Sequence, residues 1–94
     1  MTPGQAARYV RSDAVLFRDV ESALLLLAPG RSGVVALSGS GPVIWSLLRT
    51  PTSFDDLVAE LAQRFSLPAH DIADDVRRTL EELLAAHVLR RNAA

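Results

Sequence analysis

The stretch VVALSGSGPVIWSLL, Val34 to Leu48, is where the chain changes its period. Up to Ser38 the residues are short, β-branched or apolar and read as a strand. Gly39–Ser40–Gly41 then breaks the run, and Ser40–Gly41–Pro42 has the form of an N-cap followed by a proline in a first helical turn. From there VIWSLL predicts a short helix reaching about Arg49, stopped at Thr50–Pro51 because the residue before a proline avoids the α region. Everything before this point reads as strand and everything after it as helix. Upstream, Ala14–Val20 (AVLFRDV) predicts a strand. Ser22–Pro29 (SALLLLAP) lacks alternation, which fits a strand covered on both faces or a buried helical piece; the Pro29–Gly33 turn cluster after it favours the strand. Three short strands joined by tight turns form an antiparallel meander.

Downstream, Thr52 or Ser53 caps a second helix with Asp55 and Asp56 near its positive end. Phe54, Leu57, Val58, Leu61, Ala62 and Phe65 make its amphipathic stripe. Pro68 suits the first position of a third helix, whose apolar face holds Ile72, Val76, Leu80, Leu83, Leu84 and Val88 and which is expected to reach His87. The tail Asn92–Ala94 is expected to fray. The fold class is therefore α+β: a three-stranded antiparallel β-meander (about 14–38) followed by three α-helices (about 41–88), resembling a winged helix-turn-helix and forming one domain over 1–94.

Composition narrows the function. The 94 residues contain 10 arginines, no lysine and 11 acids, a net charge of −1, so no broad field attracts a polyanion. The third helix carries Asp71, Asp74, Asp75, Glu81 and Glu82 against Arg77 and Arg78, which would repel phosphates where a winged helix presents its recognition helix. No nucleic-acid partner is expected. Without cysteine, thiolate catalysis and Cys-ligated metals are excluded. His70 and His87, at opposite ends of the third helix, stand roughly 25 Å apart by helical rise and cannot share a metal or a substrate. His70 reads as a solvated first-turn residue and His87 as a helix terminator. The longest apolar run, Ala23 to Pro29, is far short of the ~20 residues that span a bilayer. The N-terminus lacks a signal-peptide layout. A cytoplasmic protein with no membrane partner, no cofactor and no metal is expected.

No enzyme emerges. Asp74 and Asp75 are sequence neighbours that point about 100° apart on a helix, so they do not converge as an acid/base pair. Ser38–Gly39–Ser40–Gly41 lacks the Gly-Lys-Ser/Thr ending of a phosphate-binding loop. Trp45, between Ile44 and Leu47, reads as core packing, with a direct ligand contact as the alternative. The informative feature is an edge. Val34–Ser38 has no proline, lysine or inward charge to blunt its unpaired N–H and C=O groups, so it is a template for an added strand unless the third helix or the N-terminal arm covers it.

The segments ALSGSGPVIWSLL, TSFDDLVAELAQRF and DIADDVRRTLEELLAAHVL, in this order and spacing, resemble the PqqD-like family, the precursor-peptide recognition elements of ribosomally synthesised, modified peptides. The matching positions are Leu37–Ser38, Gly41, Ile44–Trp45, Thr52 with Asp55–Asp56–Leu57, Asp75–Val76, and Leu80 with Leu83, over roughly residues 8 to 90. Ser38 stands where Asn is usual, and His87–Val88–Leu89 where Gly-Leu-Leu is usual. The resemblance implies a non-catalytic module that binds a precursor's leader peptide as an extra strand on the third strand, against the third helix. Val34, Val35, Ala36 and Leu37 would supply backbone hydrogen bonds. Ile72, Val76 and Leu80 would offer apolar pockets, and Asp75, Arg78, Thr79 and Glu82 the specificity rim, with Asp71 in line. Arg77, Asp74 and Glu81 flank the other side, and the family's Asp-Val step favours the stripe with Asp75. Among free-standing members the lasso-peptide role fits best, with a leader peptidase and a cyclase as partners; Pro29–Gly30–Arg31 replaces the Pro-Glu-Gly step typical of the quinone pathway. The chain is expected to be a monomer or weak dimer. A winged-helix DNA-binding protein and an edge-strand dimerisation module are the competing classes.

Overall fold

The computed structural model describes residues 7–93 apart from 22, 29, 31 and 32. Its elements are β1 (Ala7–Arg11), β2 (Leu16–Val20), β3 (Ala23–Leu27), β4 (Val35–Leu37), α1 (Gly41–Leu47), β5 (Thr52–Ser53), α2 (Phe54–Phe65), α3 (Ala69–Ala85) and β6 (Leu89–Ala93). The class is α+β as expected, with a second antiparallel sheet added to the meander. One sheet has the order β2-β3-β4; the other has the order β5-β1-β6 and joins the two ends of the chain. The meander and the three helices lie where their sequence patterns place them, with ends shifted by a residue or two. The expected turn at Pro29, Arg31 and Ser32 lies outside the described residues, as do residues 1–6.

The terminal sheet corrects two expectations. Ala7–Arg11, which no local pattern marks as a strand, is one. Asn92 and Ala93 do not fray but pair with Arg8 and Ala7 at the end of a ladder that begins at Arg11 opposite Leu89. Its cause is non-local, since β6 (LRRNA) has no strand pattern of its own and gains its partner from the other end of the chain.

In the meander, Leu24 pairs with Leu37 and Leu26 with Val35 on the core side. Leu24 and Leu26 are buried, while Leu25 and Leu27, which alternate with them, are only half-buried. The same register sets Leu16, Arg18 and Val20 of β2 beside Leu27, Leu25 and Ala23 on the outer face. Leu16 is 68% exposed and Val20 41%. The continuous leucine run of β3 therefore has one face in the core and one that this chain covers only in part. The expectation of a strand covered on both faces is corrected.

Local chemistry sets the helices. Ser53 Oγ accepts the Asp56 N–H at 3.1 Å and caps α2. Ser40 precedes α1 without a side-chain cap, and Pro68 precedes α3. Gly41 is required by close approach: a Cβ there would lie 2.9 Å from Leu37 Cβ. The expected reach of α3 to His87 is corrected to Ala85. The Val88 N–H donates to Leu83 O and the His87 N–H to Leu84 O, with His87 at φ 62°. This pair of bonds, with buried Val88 over buried Leu83, is a Schellman ending.

One core gathers Leu24, Leu26 and Leu37 of the meander, Ile44, Trp45 and Leu48 of the α1 region, Leu57 and Leu61 of α2, and Ile72, Val76, Leu80 and Leu83 of α3. Trp45 is 2% exposed, so packing accounts for it, and its indole N–H finds no acceptor among the described residues. Arg11 covers it: Nε donates to Trp45 O at 2.9 Å, and the guanidinium carbon lies 4.5 Å from the Trp45 ring centroid and 5.3 Å from that of Phe17. Burial, and then the neighbouring Arg49, lower the Arg11 pKa. Among the described residues no helix is long and apolar enough to cross a membrane, and no three His, Asp or Glu side chains group as metal ligands.

Candidate functional site

β3 is paired on both sides, whereas among the described residues β4 is paired only with β3. The outer edge of β4 faces a groove of about 370 Å³. One wall consists of Ala36, Leu37 and Ser38 together with the turn Gly39–Ser40–Gly41; the other consists of Asp75, Arg78, Thr79 and Glu82 of α3. Spacings of 3, 1 and 3 on a helix select one stripe, so the four α3 residues share a face. Of the two flanks open at the sequence level, the one holding Asp75 faces β4. On the other flank, Arg77 pairs with Asp74 at 2.9 Å and lies over the Phe54 ring at 5.6 Å.

The groove is asymmetric in chemistry. The β4 wall and its turn carry no charged side chain, so among the described residues every charge in the groove comes from α3. Arg78 Nη1 lies 3.7 Å from Asp75 Oδ1, a loose and exposed pair. Glu82, one turn further on, makes no ion pair among the described residues.

Several expected residues stand elsewhere. Ile72 and Val76 are 4% and 0% exposed and pack in the core behind the α3 wall, as does Leu80, rather than forming pockets that open into the groove. Their stripe packs against α2, and one core uses all of it. Val34 precedes β4, is 59% exposed, and borders a shallow apolar depression with Leu16, Phe17, Leu25 and Leu27. Val35 is half-buried, with its side chain toward the core. Ala36 and Leu37 do line the groove. Ser38 lines the groove at the end of the expected edge strand, and Gly39, Ser40 and Gly41, whose pattern marks a strand-to-helix turn, line it as well. The signal was present in their size, since four small residues in succession leave space beside a helix. His70 and His87 stay apart at the two ends of α3, and the exposed His70 Nε2 lies 3.2 Å from Asp71 Oδ1.

This arrangement offers backbone donors and acceptors on one wall and three charged side chains on the other, a suitable lining for an extended chain. Comparison with known proteins agrees with that geometry. No curated protein matches the chain. A solved structure, "TbiB1 in Complex with the TbiA(beta) Leader Peptide", is similar at 25% sequence identity with a TM-score of 0.75, covering 90% of this chain and 99% of that one. A family model described as Coenzyme PQQ synthesis protein D (PqqD) matches residues 23–89, which run from β3 through α3 to the start of β6. With well over half of its length matched, and with β3, the open β4 edge and all three helices inside that span, the chain belongs to the PqqD family.

Proposed function

We propose that this protein is a non-catalytic leader-peptide-binding element in the biosynthesis of a ribosomally made peptide of the lasso type. It acts in the cytoplasm and presents the bound precursor to a leader peptidase and a cyclase. The observation that carries this reading is the outer edge of β4, unpaired among the described residues and set across a groove from α3. An extended leader segment would add there as a fourth strand about 4.8 Å from β4, exchanging backbone hydrogen bonds with Val35, Ala36 or Leu37. Its side chains would alternate between the groove and the outer face, where Val34 stands. Asp75, Arg78, Thr79 and Glu82 would touch the side chains that point toward α3. Ile72 and Val76 would act from behind, by holding the helix at its distance. The similar structure's own description, a complex with a leader peptide, supports the reading. DNA binding finds no support, because the exposed surface of α3 holds five acids against two arginines.

The test is fluorescence anisotropy of a labelled leader peptide from the associated precursor, against the wild type and two proline variants. In an antiparallel ladder, successive residues direct their N–H groups to opposite edges. Of Val35→Pro and Ala36→Pro, one therefore removes a donor from the open edge and the other a donor shared with β3. The expected result is a folded variant that has lost the peptide and a second variant that is destabilised. Saturable binding that survives in both variants would overturn strand addition on β4.

A further inference from the structure

We propose that Glu82 makes the groove selective for peptides carrying a lysine or arginine that faces α3. This rests on the reading of the groove as a leader-peptide site and adds the chemistry of the side chain it prefers. Four observations converge. The β4 wall from Ala36 to Gly41 has no charged side chain, so nothing there neutralises an acid on the opposite wall. Arg78, the only cation lining the groove among the described residues, leans toward Asp75 at 3.7 Å, away from Glu82. Among the described residues Glu82 is left as the carboxylate with no ion pair, and their part of the lining carries a net charge of −1. Finally, Glu82 lies in the last turn of α3, where the helix dipole is negative and no basic residue is present. A carboxylate is disfavoured at that end of a helix, and a cation brought by the ligand would relieve both the dipole and the carboxylate.

The geometry also limits how many cations fit. Asp75 and Glu82 are seven residues apart, about 10 Å along the helix axis. Residues i and i+2 of an added strand, which share a face, are about 7 Å apart. With Asp75 already held by Arg78, one basic side chain satisfies the groove, and the flanking residues on the same face of the ligand remain free to be uncharged.

The experiment selects a displayed random library of 20-residue peptides on the wild-type protein, on Glu82→Arg and on Glu81→Gln. Glu81 occupies the same helical turn but does not line the groove. The expected wild-type winners share a lysine or arginine at one fixed position. Glu82→Arg should instead enrich an acid there, and Glu81→Gln should reproduce the wild-type preference. For a synthesised winner, Glu82→Gln should weaken binding about two- to fivefold at low salt, with the difference closing near 1 M salt, as expected for an exposed ion pair. Replacing the winner's lysine by glutamate should restore its affinity for Glu82→Arg. Winners that also bind the open-edge proline variant, or a complete lack of winners, would overturn the groove reading itself. Winners that depend on β4 but show no basic position, or the same preference on Glu82→Arg, would leave that reading standing and overturn the role of Glu82.

Discussion

Arg11 is the residue on which the two sheets meet. It ends β1 in the terminal sheet, and its guanidinium lies over Trp45 of α1 and near Phe17 of β2, whose ring meets Trp45 edge-on with centroids 6.1 Å apart. The charged form is opposed by burial and then by Arg49, yet arginine stays protonated at every pH at which the fold exists, so the opposition brings no pH dependence. What offsets it is geometric: a planar cation over an indole, with Nε–H directed at Trp45 O. Lysine has neither the plane nor the Nε–H. Arg11→Lys is therefore expected to cost about 1–2 kcal/mol, read as a lowered urea midpoint at unchanged slope. A midpoint equal to the wild type would show that the stack contributes nothing. Trp45 supplies a companion measurement. Trp45→Phe removes volume but also removes a buried N–H without an acceptor, and these effects have opposite signs. It should cost less than about 1.5 kcal/mol, whereas Trp45→Ala should cost about 3–5 kcal/mol.

At the scale of elements, the endings carry strain. Ser66 after α2 and His87 after α3 adopt φ of 54° and 62°, and Ala14 in the turn between β1 and β2 adopts 64°. Side chains with a Cβ pay for that region, and glycine does not. His87 occupies the position where the family usually has glycine, and the structure gives the physical reason for that preference. His87→Gly is expected to raise stability by about 0.5–1 kcal/mol, with the gain confined to the end of α3, and thermal unfolding checks it. A loss instead would mean that the imidazole holds the helix end as well as its own backbone does. These endings also show what was legible in advance. The period change at Gly39–Gly41, the Ser53 cap and the apolar stripes of α2 and α3 rest on neighbours within one or two turns, so the sequence displays them. The groove was half legible: an unblunted β4 edge and a charged stripe on α3 follow from local pattern, but which flank of α3 turns toward β4 is decided by packing against Leu57 and Leu61. Ile72 and Val76 illustrate the limit, since an apolar stripe does not say whether it serves the core or a ligand, and here the core takes it.

At the scale of the whole molecule, the terminal sheet was not legible because its cause is a pairing between the two ends of the chain. β1 is a short five-residue strand. β6 contains Arg90, Arg91 and Asn92, none of which favours burial. Together they form a five-residue ladder, and Val10 and Leu89 are buried beside it at 8% and 4% exposure. The Ser12 N–H further ties the end of β1 to Val88 O at 2.9 Å. If this closure is part of the cooperative unit, ending the chain after Val88 removes the burial of one leucine, about 1.5–3 kcal/mol, together with several backbone bonds of about 0.5–1.5 kcal/mol each. That sum is a large fraction of the 5–15 kcal/mol expected for a domain of this size. The truncated chain should therefore lose several kcal/mol of stability, read as a lowered urea midpoint, a loss beyond that of Leu89→Ala, which is expected at about 2–4 kcal/mol. Arg90→Ala and Arg91→Ala, both at exposed positions, should change stability by no more than about 0.5 kcal/mol. Amide exchange separates the alternatives: in a single cooperative unit, β1, β6 and α3 are protected together. A truncated chain that unfolds at the wild-type midpoint, or β1 amides that exchange long before those of α3, would instead make the meander and the three helices a self-sufficient body that keeps its groove without the terminal sheet.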